Sequence, residues 1–369
     1  MSLSHIIAAC RSPVAPRGGA LADCLPHDLA SPVISDLLQR GGIQAEQVGE
    51  LVLSNALGAG GNPARIAALA AGLPEPIAGL SVDRQCAGGL DAILLGDAMI
   101  RAGLHDVVIA GGAESYSRRP IRMHRFPDGR PPETYEQAPF TPWPDRDPDM
   151  ATVADVLARS MGINREEQDT WAQASHAKAL TAQDLLAREI VPVAGLARDS
   201  FTRVLSDRHC ARARTVCGTI SAANMAVAAD GAAFVLMVSD RLARRHTGPS
   251  LTILGGRTLG ADPTQPGLAP VPAVDAVLKE AQLRPAALSA VEIMEAFAVQ
   301  AIACQRGSAL PHEITNRHGG ALARGHPIGA SGAILAVRLF QDLTALGSGT
   351  GLAAIASAGG LGSALLLGA

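Results

Sequence analysis

Apolar residues follow two alternating patterns along this chain, short continuous runs and longer segments with helical spacing. Continuous runs are typical of strands buried on both faces, and they occur at residues 5–9, 50–54, 106–110 and 234–238. Apolar positions recur at helical spacing in four other segments, at residues 29–40, 66–71, 90–100 and 151–190. This alternation predicts an α/β fold whose strands lie in the core.

Two stretches interrupt the alternation. Residues 117–150 are rich in proline and arginine, and residues 199–214 are basic and irregular. The first stretch is predicted to lie off the core as a loop. Between them, Asn164 is predicted to cap a helix whose first turn carries Glu166 and Glu167.

The stretch 81–100 combines a strand end, a cysteine, two glycines and an apolar helix. Cys86 precedes the helix, where backbone N–H groups are unpaired and the helix dipole favours a thiolate. The dipole contributes ~0.3–1 kcal/mol, or up to ~2 kcal/mol when partly buried, too little to make a thiol with a pKa of about 8.5 reactive at neutral pH. A histidine is therefore expected beside Cys86. The alternative is a buried structural cysteine.

The second half of the chain repeats the pattern of the first. Adding 240 to a residue number aligns the halves without a gap, so that 34–40 falls on 274–280 and 48–53 on 288–293. Further along, an offset of 248 places Gly111-Gly112 on Gly359-Gly360. A repeat this long indicates two similar α/β domains rather than a solenoid.

The repeat places His326 at the position equivalent to Cys86, and an apolar helix follows each of them. If the two domains pack about a pseudo-twofold axis, these helix starts face each other across the centre. Cys86 and His326 are then predicted to share one pocket. Chance similarity between two strand–turn–helix units is the alternative.

Composition narrows the function further. The 369 residues are 48% hydrophobic and 18% charged, as in a compact enzyme with a large core, and the net charge of −3 gives no reason to expect nucleic acid or a membrane as partner. Six cysteines without a Cys-x-x-Cys pair predict reduced thiols and a cytoplasmic location. We expect no metal site and no membrane span.

Several motifs along nearly the whole chain resemble those of the thiolase family, whose members cleave or form β-ketoacyl-CoA through an acyl-cysteine. The matching stretches are Asn62-Pro63-Ala64-Arg65, the segment around Cys86, Gly111-Gly112-Ala113-Glu114-Ser115, Arg165-Glu166-Glu167-Gln168-Asp169, Asp230-Gly231-Ala232-Ala233, and Asn316 to Gly332 with Gly325-His326-Pro327-Ile328-Gly329.

The resemblance implies a five-layered αβαβα fold built from two duplicated α/β halves with an inserted loop domain. The first half would comprise residues 1–117 and 215–245, the insert 118–214, and the second half 246–369. Members of the family form homodimers or homotetramers, so the same is expected here, with a hetero-partner as a further possibility.

The resemblance also implies a mechanism. Cys86 would carry the acyl group, His326 would act as its base, and backbone N–H groups at Cys86 and in the Ala358-Gly359-Gly360 turn would bind the oxyanion. No cofactor would be bound permanently, and coenzyme A would enter as substrate or product with an acyl-CoA or β-ketoacyl-CoA. The expected pocket residues are Met294, Glu295, Asn316, Ala356, Ser357, Ala358 and Gly359, with Ala226 and Phe297 at the CoA chain.

Three positions depart from the family pattern. Ala356 stands where the family has a second cysteine that moves the α-proton, and the hydroxyl of neighbouring Ser357 has too high a pKa to replace a thiolate. Met294 replaces the asparagine of an Asn-Glu-Ala-Phe motif, and Ala226-Val227 replaces a Ser-Gly pair near the CoA chain.

These departures leave three hypotheses. The chain is a divergent thiolase acting through acyl-Cys86 and His326. Alternatively, it is a thiolase-fold acyltransferase or thioester hydrolase that needs no carbanion. The third hypothesis is a weakly active acyl-CoA-binding partner subunit.

Overall fold

A computed structural model describes residues 3–58 and 60–369. The first part of the chain alternates strands and helices as predicted. Its strands are β1 (Ser4–Arg11), β2 (Ala15–Pro16), β3 (Glu50–Ser54), β4 (Leu80–Val82) and β5 (Val107–Glu114), and its helices are α1 (Pro26–Gly41), α2 (Pro63–Ala70) and α3 (Gly88–Arg101). The predicted end of α1 is confirmed, because Gly42 adopts φ 63° and caps the helix.

The middle segment carries short strands and four helices. Its elements are β6 (Arg122–His124), β7 (Glu133–Tyr135), α4 (Met150–Met161), α5 (Arg165–Thr181), α6 (Gln183–Leu186), α7 (Asp207–Arg212), β8 (Thr215–Cys217) and β9 (Ile220–Ser221). The predicted cap of α5 is confirmed, since the Asn164 side chain accepts the Glu167 N–H at 2.9 Å. The prediction that 199–214 lacks regular structure was wrong in part, because α7 forms there behind a Ser206–His209 capping box.

The chain then returns to the sheet and repeats the first pattern. The remaining elements are β10 (Ala229–Ser239), α8 (Asp240–Ala243), β11 (Leu251–Gly260), α9 (Pro270–Glu280), β12 (Ala290–Ile293), α10 (Ala298–Gly307), α11 (Ala321–Arg324), α12 (Ile328–Leu346), β13 (Thr350–Ser357) and β14 (Leu361–Gly368).

One mixed sheet runs through the molecule in the order β12-β13-β14-β11-β1-β10-β5-β3-β4, with β2 paired to β10. Strand pairs β3–β4, β3–β5 and β12–β13 are parallel, and the other pairs are antiparallel. In the middle, β1 and β11 share only the pairs His5–Thr252 and Ile6–Leu251. The sheet therefore consists of two equivalent half-sheets joined by a short seam.

Three hydrophobic clusters separate five layers. Helices α3 and α12 lie between the half-sheets, and their Leu90, Ile93 and Ile334 share one cluster with Val235 of β10 and Leu365 of β14. Outside the first half-sheet lie α1 and α2, and outside the second lie α9 and α10. The expected αβαβα fold is confirmed. The domain boundaries inferred from the sequence remain a prediction.

The strand register corrects the second alignment offset. In the first half-sheet Glu50 pairs with Val108, and in the second Ala290 pairs with Gly351. Because Glu50 and Ala290 are equivalent, β5 and β13 align with an offset of 243 rather than 248. The prediction that Gly111-Gly112 matches Gly359-Gly360 was wrong, and the end of β5 at Glu114 matches Ser357 instead.

Glycines let α3 and α12 touch backbone to backbone. A Cβ on Gly89 would lie 2.7 Å from the Ala333 nitrogen, and one on Gly332 would collide with the Leu90 backbone. A Cβ on Gly112 would collide with the Gly329 carbonyl. This contact brings the starts of both helices to one point, as the internal repeat predicted.

Candidate active site

A tight turn presents Cys86 at the start of α3. The turn is a 3-10 helix, Gln85–Ala87, and Gln85 adopts φ 49°, a conformation that few non-glycine residues take. The Asp83 carboxylate holds it by accepting from the Gln85 backbone N–H at 2.8 Å and from its side-chain amide at 3.0 Å. The strained turn therefore fixes where the Cys86 side chain points.

His326 reaches the same point from an extended segment before α12. Its backbone N–H donates to the Val227 carbonyl at 2.8 Å, and the adjoining residue Ala228 forms a bridge with it. Gly325 makes the approach possible, since its φ of 110° and its 2.8 Å Cβ distance to Ala229 disfavour any side chain.

The predicted proximity of Cys86 and His326 is confirmed by a 3.3 Å distance between Sγ and Nε2. On the other side of the ring, Nδ1 lies 2.6 Å from the Ser331 hydroxyl, which donates its hydrogen to the Pro327 carbonyl at 3.0 Å. The hydroxyl therefore accepts from Nδ1–H. Nε2 is left with its lone pair facing the thiol, as a base requires.

Burial keeps both partners neutral at rest. It raises the pKa of the Cys86 thiol to about 11, against backbone N–H groups that lower it. Burial, helped by Arg324, lowers the pKa of His326 to about 4. The helix start was predicted to favour the thiolate only weakly, and desolvation outweighs it. A thiol–imidazole pair results, whose proton moves only when the sulfur attacks.

Three donors converge on the sulfur. They are the backbone N–H groups of Cys86 and Ala358 and the hydroxyl of Ser357, all of which favour the thiolate. The Ser357 hydroxyl otherwise donates to the Arg84 carbonyl at 3.1 Å. Ala358 is delivered by the turn between β13 and β14, where Gly359 and Gly360 adopt φ 79° and 74°.

Glu114, at the end of β5, ties the start of α12 to the loop after β3. One carboxylate oxygen accepts from the backbone N–H of Ala56 at 2.9 Å and from that of Gly329 in α12 at 3.0 Å. The other accepts from the Asn55 amide at 2.7 Å and from the Leu57 N–H at 3.3 Å. Burial raises the pKa of Glu114 to about 7 despite these donors.

The thiol opens into a cavity of about 640 Å³. Most of the wall is apolar, with contributions from Met150, Val153, Leu157, Met225 and Ile328. Seven of the site residues predicted from the sequence lie in this wall: Cys86, His326, Ala226, Phe297, Ala356, Ser357 and Ala358. Such a cavity can hold an acyl chain against the sulfur.

Four residues predicted for the pocket lie elsewhere. Met294 is buried in the central hydrophobic cluster. Glu295 faces away, accepting from Trp171 at 3.0 Å and Ser175 at 2.7 Å. The Asn316 side chain is bound to the backbone of Ile293 and to Glu295, and a Cβ on Gly359 would face the Phe140 carbonyl. The side chains of Met294, Glu295 and Asn316 are therefore held in the core by these contacts.

Two residues at the site, Glu114 and Tyr116, were not predicted from the sequence. Glu114 belonged to a motif already recognised, and its carboxylate beside two glycines could have signalled a buried anchor. Tyr116 lines the cavity two residues further on, and no pattern in the sequence marked it.

Across residues 3–58 and 60–369, no three His, Cys, Asp or Glu side chains gather as they would around an ion. Over the same ranges, no helix is both long enough and apolar enough to cross a membrane.

Comparison with known proteins extends over the whole chain. Family models for the thiolase N-terminal and C-terminal domains match residues 4–241 and 249–369. A Bacillus subtilis (strain 168) protein with the provisional name acetyl-CoA C-acetyltransferase YhfS is 38% identical over 372 residues, 98% of each chain. The Bacillus anthracis acetyl-CoA acetyltransferase has a TM-score of 0.94 at 30% identity, covering 100% of this chain and 99% of that one. Human mitochondrial 3-ketoacyl-CoA thiolase in complex with CoA has a TM-score of 0.92 at 28% identity with the same coverage.

Proposed function

Because this chain belongs to the thiolase family, we propose that it is an acyl-CoA C-acyltransferase that cleaves or forms a β-ketoacyl-CoA through an acyl group on Cys86. The observation that carries this proposal is the 3.3 Å contact between the Cys86 sulfur and the lone-pair nitrogen of His326. The CoA in the human relative's structure supports the substrate class.

In the cleavage direction, His326 Nε2 takes the thiol proton as the Cys86 sulfur attacks the β-carbonyl carbon. The thiol, with a pKa of about 11, is a weak acid, so the base must act during the attack rather than before it. The negative oxygen of the tetrahedral intermediate would lie near the Cys86 and Ala358 backbone N–H groups, which already favour negative charge at the sulfur.

The intermediate then loses its carbon–carbon bond. The acyl group stays on Cys86, and the shortened acyl-CoA leaves as an enolate that must gain a proton. A second CoA thiol attacks the acyl-cysteine, and the Cys86 sulfur recovers its proton from His326. The cavity beside Ala226 and Phe297 leads to this sulfur and is assigned to the CoA chain and acyl group.

Intact-protein mass spectrometry after incubation with acetyl-CoA or acetoacetyl-CoA tests the acyl group. We expect an acyl adduct that Cys86→Ala abolishes. Cys24→Ala is the matched control, because Cys24 is a partly exposed thiol outside the cavity, and this variant should keep the adduct. An adduct that persists in Cys86→Ala would contradict the proposal. Absence of an adduct in the unmodified protein would instead favour an acyl-CoA-binding partner subunit.

Acyl transfer or thioester hydrolysis without a carbanion is the second candidate, favoured by Ala356, which brings no ionisable group to the cavity. Exchange of the acetyl-CoA α-protons in deuterated buffer separates the two functions. Carbon–carbon chemistry requires exchange, whereas simple acyl transfer requires none.

A further inference from the structure

Carbon–carbon cleavage needs a proton donor besides Cys86 and His326 in the proposed sequence of steps. His326 Nε2 faces the sulfur and holds the thiol proton until Cys86 recovers it, and its Nδ1–H is committed to Ser331. Ala356 carries no proton to give. If the proposed function holds, another group in the cavity must protonate the enolate.

The cavity offers few candidates among the described residues. Asp83 is occupied by the Gln85 amides, and the Ser357 hydroxyl donates to the Arg84 carbonyl. Glu136 is paired with Arg119 and its side chain is 82% exposed, so it is held in solvent. Tyr135 stacks on His124, with ring centroids 4.3 Å apart, in the β6–β7 hairpin.

Tyr116 is distinguished by its place in the fold. It follows β5 directly, two residues after the Glu114 anchor, and it lines the cavity with Cys86, His326 and Ala356. In the part of the chain that the structure describes, no protein group hydrogen-bonds its hydroxyl. The hydroxyl is therefore available to a bound substrate.

The electrostatics around Tyr116 suit a group that gives up a proton and takes it back. Burial raises the pKa of Tyr116 to about 12, and the neighbouring Cys86 and Glu114 act in the same direction. Arg119, 5.6 Å from the ring centroid, and Arg122 oppose them by favouring the phenolate. A thioester enolate is a much stronger base than a phenolate, so proton transfer from the phenol to carbon is downhill.

We propose that Tyr116 is the acid and base of the carbon–carbon step, in the place that Ala356 leaves empty of ionisable groups. As the carbon–carbon bond breaks, its electron pair forms the enolate, and the Tyr116 hydroxyl transfers its proton to the α-carbon. The resulting phenolate then takes the proton of the incoming CoA thiol, and the CoA sulfur attacks acyl-Cys86. The tyrosine is restored, and no other reactant is consumed.

This inference rests on the proposed function, and one pair of measurements separates their failures. Acylation of Cys86 is measured by quenched mass spectrometry, and α-proton exchange of acetyl-CoA in deuterated buffer is measured by NMR. In Tyr116→Phe we expect exchange to fall by about 10²-fold or more, because carbon cannot be protonated without the phenol. Cys86 acylation by acetyl-CoA should stay within about threefold, because a thiolate whose thiol has a pKa of about 8.5 can leave without a proton from Tyr116. The double variant Tyr116→Phe with Ala356→Cys should recover exchange, because it returns an ionisable group to the cavity.

Three results would overturn the assignment. The first is unchanged exchange in Tyr116→Phe, and the second is an equal loss in Tyr135→Phe, which removes the chain's other phenol. The third is Cys86 acylation without exchange in the unmodified protein, which would leave acyl transfer standing and remove Tyr116 from it. Failure of acylation itself would contradict the proposed function instead.

Discussion

The ends of β5 and β13 occupy equivalent places in the two halves, yet they bind the opposite half with different chemistry. Glu114 ends β5 and accepts the Gly329 N–H at the start of α12, the helix that follows His326. Ser357 ends β13 and donates to the Arg84 carbonyl just before Cys86. Each strand end therefore supports a segment of the other half, next to His326 or Cys86.

The connections that follow these strands differ even more. Three residues, 358–360, join β13 to β14, and this short turn keeps the Ala358 N–H beside the sulfur. Residues 115–228 separate β5 from β10, and they carry Tyr116 and much of the cavity wall. The duplicated backbone thus brings Cys86 and His326 together, while the unequal connections place the Ala358 N–H on one side and most of the cavity wall on the other.

Removing the His326 imidazole should have the largest effect of the changes considered, and it should act on the rate of Cys86 acylation. In His326→Ala the Cys86 thiol loses its proton acceptor, so acylation at pH 7 should fall by about 10³-fold. The pKa of the thiol is about 11, so the variant should recover about tenfold per pH unit towards alkaline pH as hydroxide replaces the base. Stopped-flow acylation between pH 6 and 10 measures both effects.

Labelling with iodoacetamide tests independently whether His326 interacts with the Cys86 thiol. In the unmodified protein the labelling rate of Cys86 should rise with pH without a plateau below pH 8, because both partners are neutral there. A plateau would indicate a preformed ion pair. Labelling of Cys86 that is unchanged in His326→Ala would disprove the pairing.

The contact between the halves should be the next most sensitive feature. Gly112→Ala places a methyl group against the Gly329 carbonyl, so we expect about 3 kcal/mol of destabilisation and a displaced α12. Gly260→Ala is the matched control, since nothing lies within 4 Å of its Cβ position and its stability should hardly change. Urea denaturation followed by circular dichroism compares them, and equal midpoints would disprove the close contact.

The internal repeat predicted the site correctly where the two halves align without a gap, and it gave a wrong alignment further along the chain. The gap-free offset of 240 correctly joined Cys86 to His326, because both lie directly before helices that pack against each other. The offset of 248 used beyond those helices was wrong. The register of β5 and β13 depends on strand pairing with β3 and β12, which single-sequence patterns do not encode.

The site shows the same limit. Met294 and Asn316 were placed in the pocket by motif position, but the direction of their side chains is set by core packing and by bonds to the Ile293 backbone. Tyr116 was not predicted because the residues that surround it in the cavity are distant in the sequence. The local sequence also does not reveal the burial that raises the pKa of the Cys86 thiol.

Glu114 and Ser357 can be compared directly, and the carboxylate should matter more to stability. Glu114→Gln replaces an oxygen that accepts two backbone N–H groups with an amide that cannot, so we expect a loss of about 2 kcal/mol. The pKa of Glu114 is raised from 4.5 to about 7, so its protonated form favours folding. The stability of the unmodified protein should fall between about pH 4.5 and 7, and the gap to Glu114→Gln should narrow accordingly. Urea midpoints at pH 5 and 8 measure this, and a gap that widens with pH would contradict the assignment.

Ser357→Ala should give the smallest effect, and on chemistry more than on stability. The variant loses one neutral hydrogen bond to the Arg84 carbonyl, worth about 1 kcal/mol. It also loses a donor to the thiolate, while the Cys86 and Ala358 N–H groups remain, so acylation should slow by only about three- to tenfold. Ser357→Thr keeps the hydroxyl and should restore the rate where the added methyl group is accommodated. A loss of acylation rate in Ser357→Ala as large as that in His326→Ala would contradict this prediction. It would mean that the Ser357 hydroxyl, rather than the two backbone N–H groups, stabilises the negative charge at the sulfur.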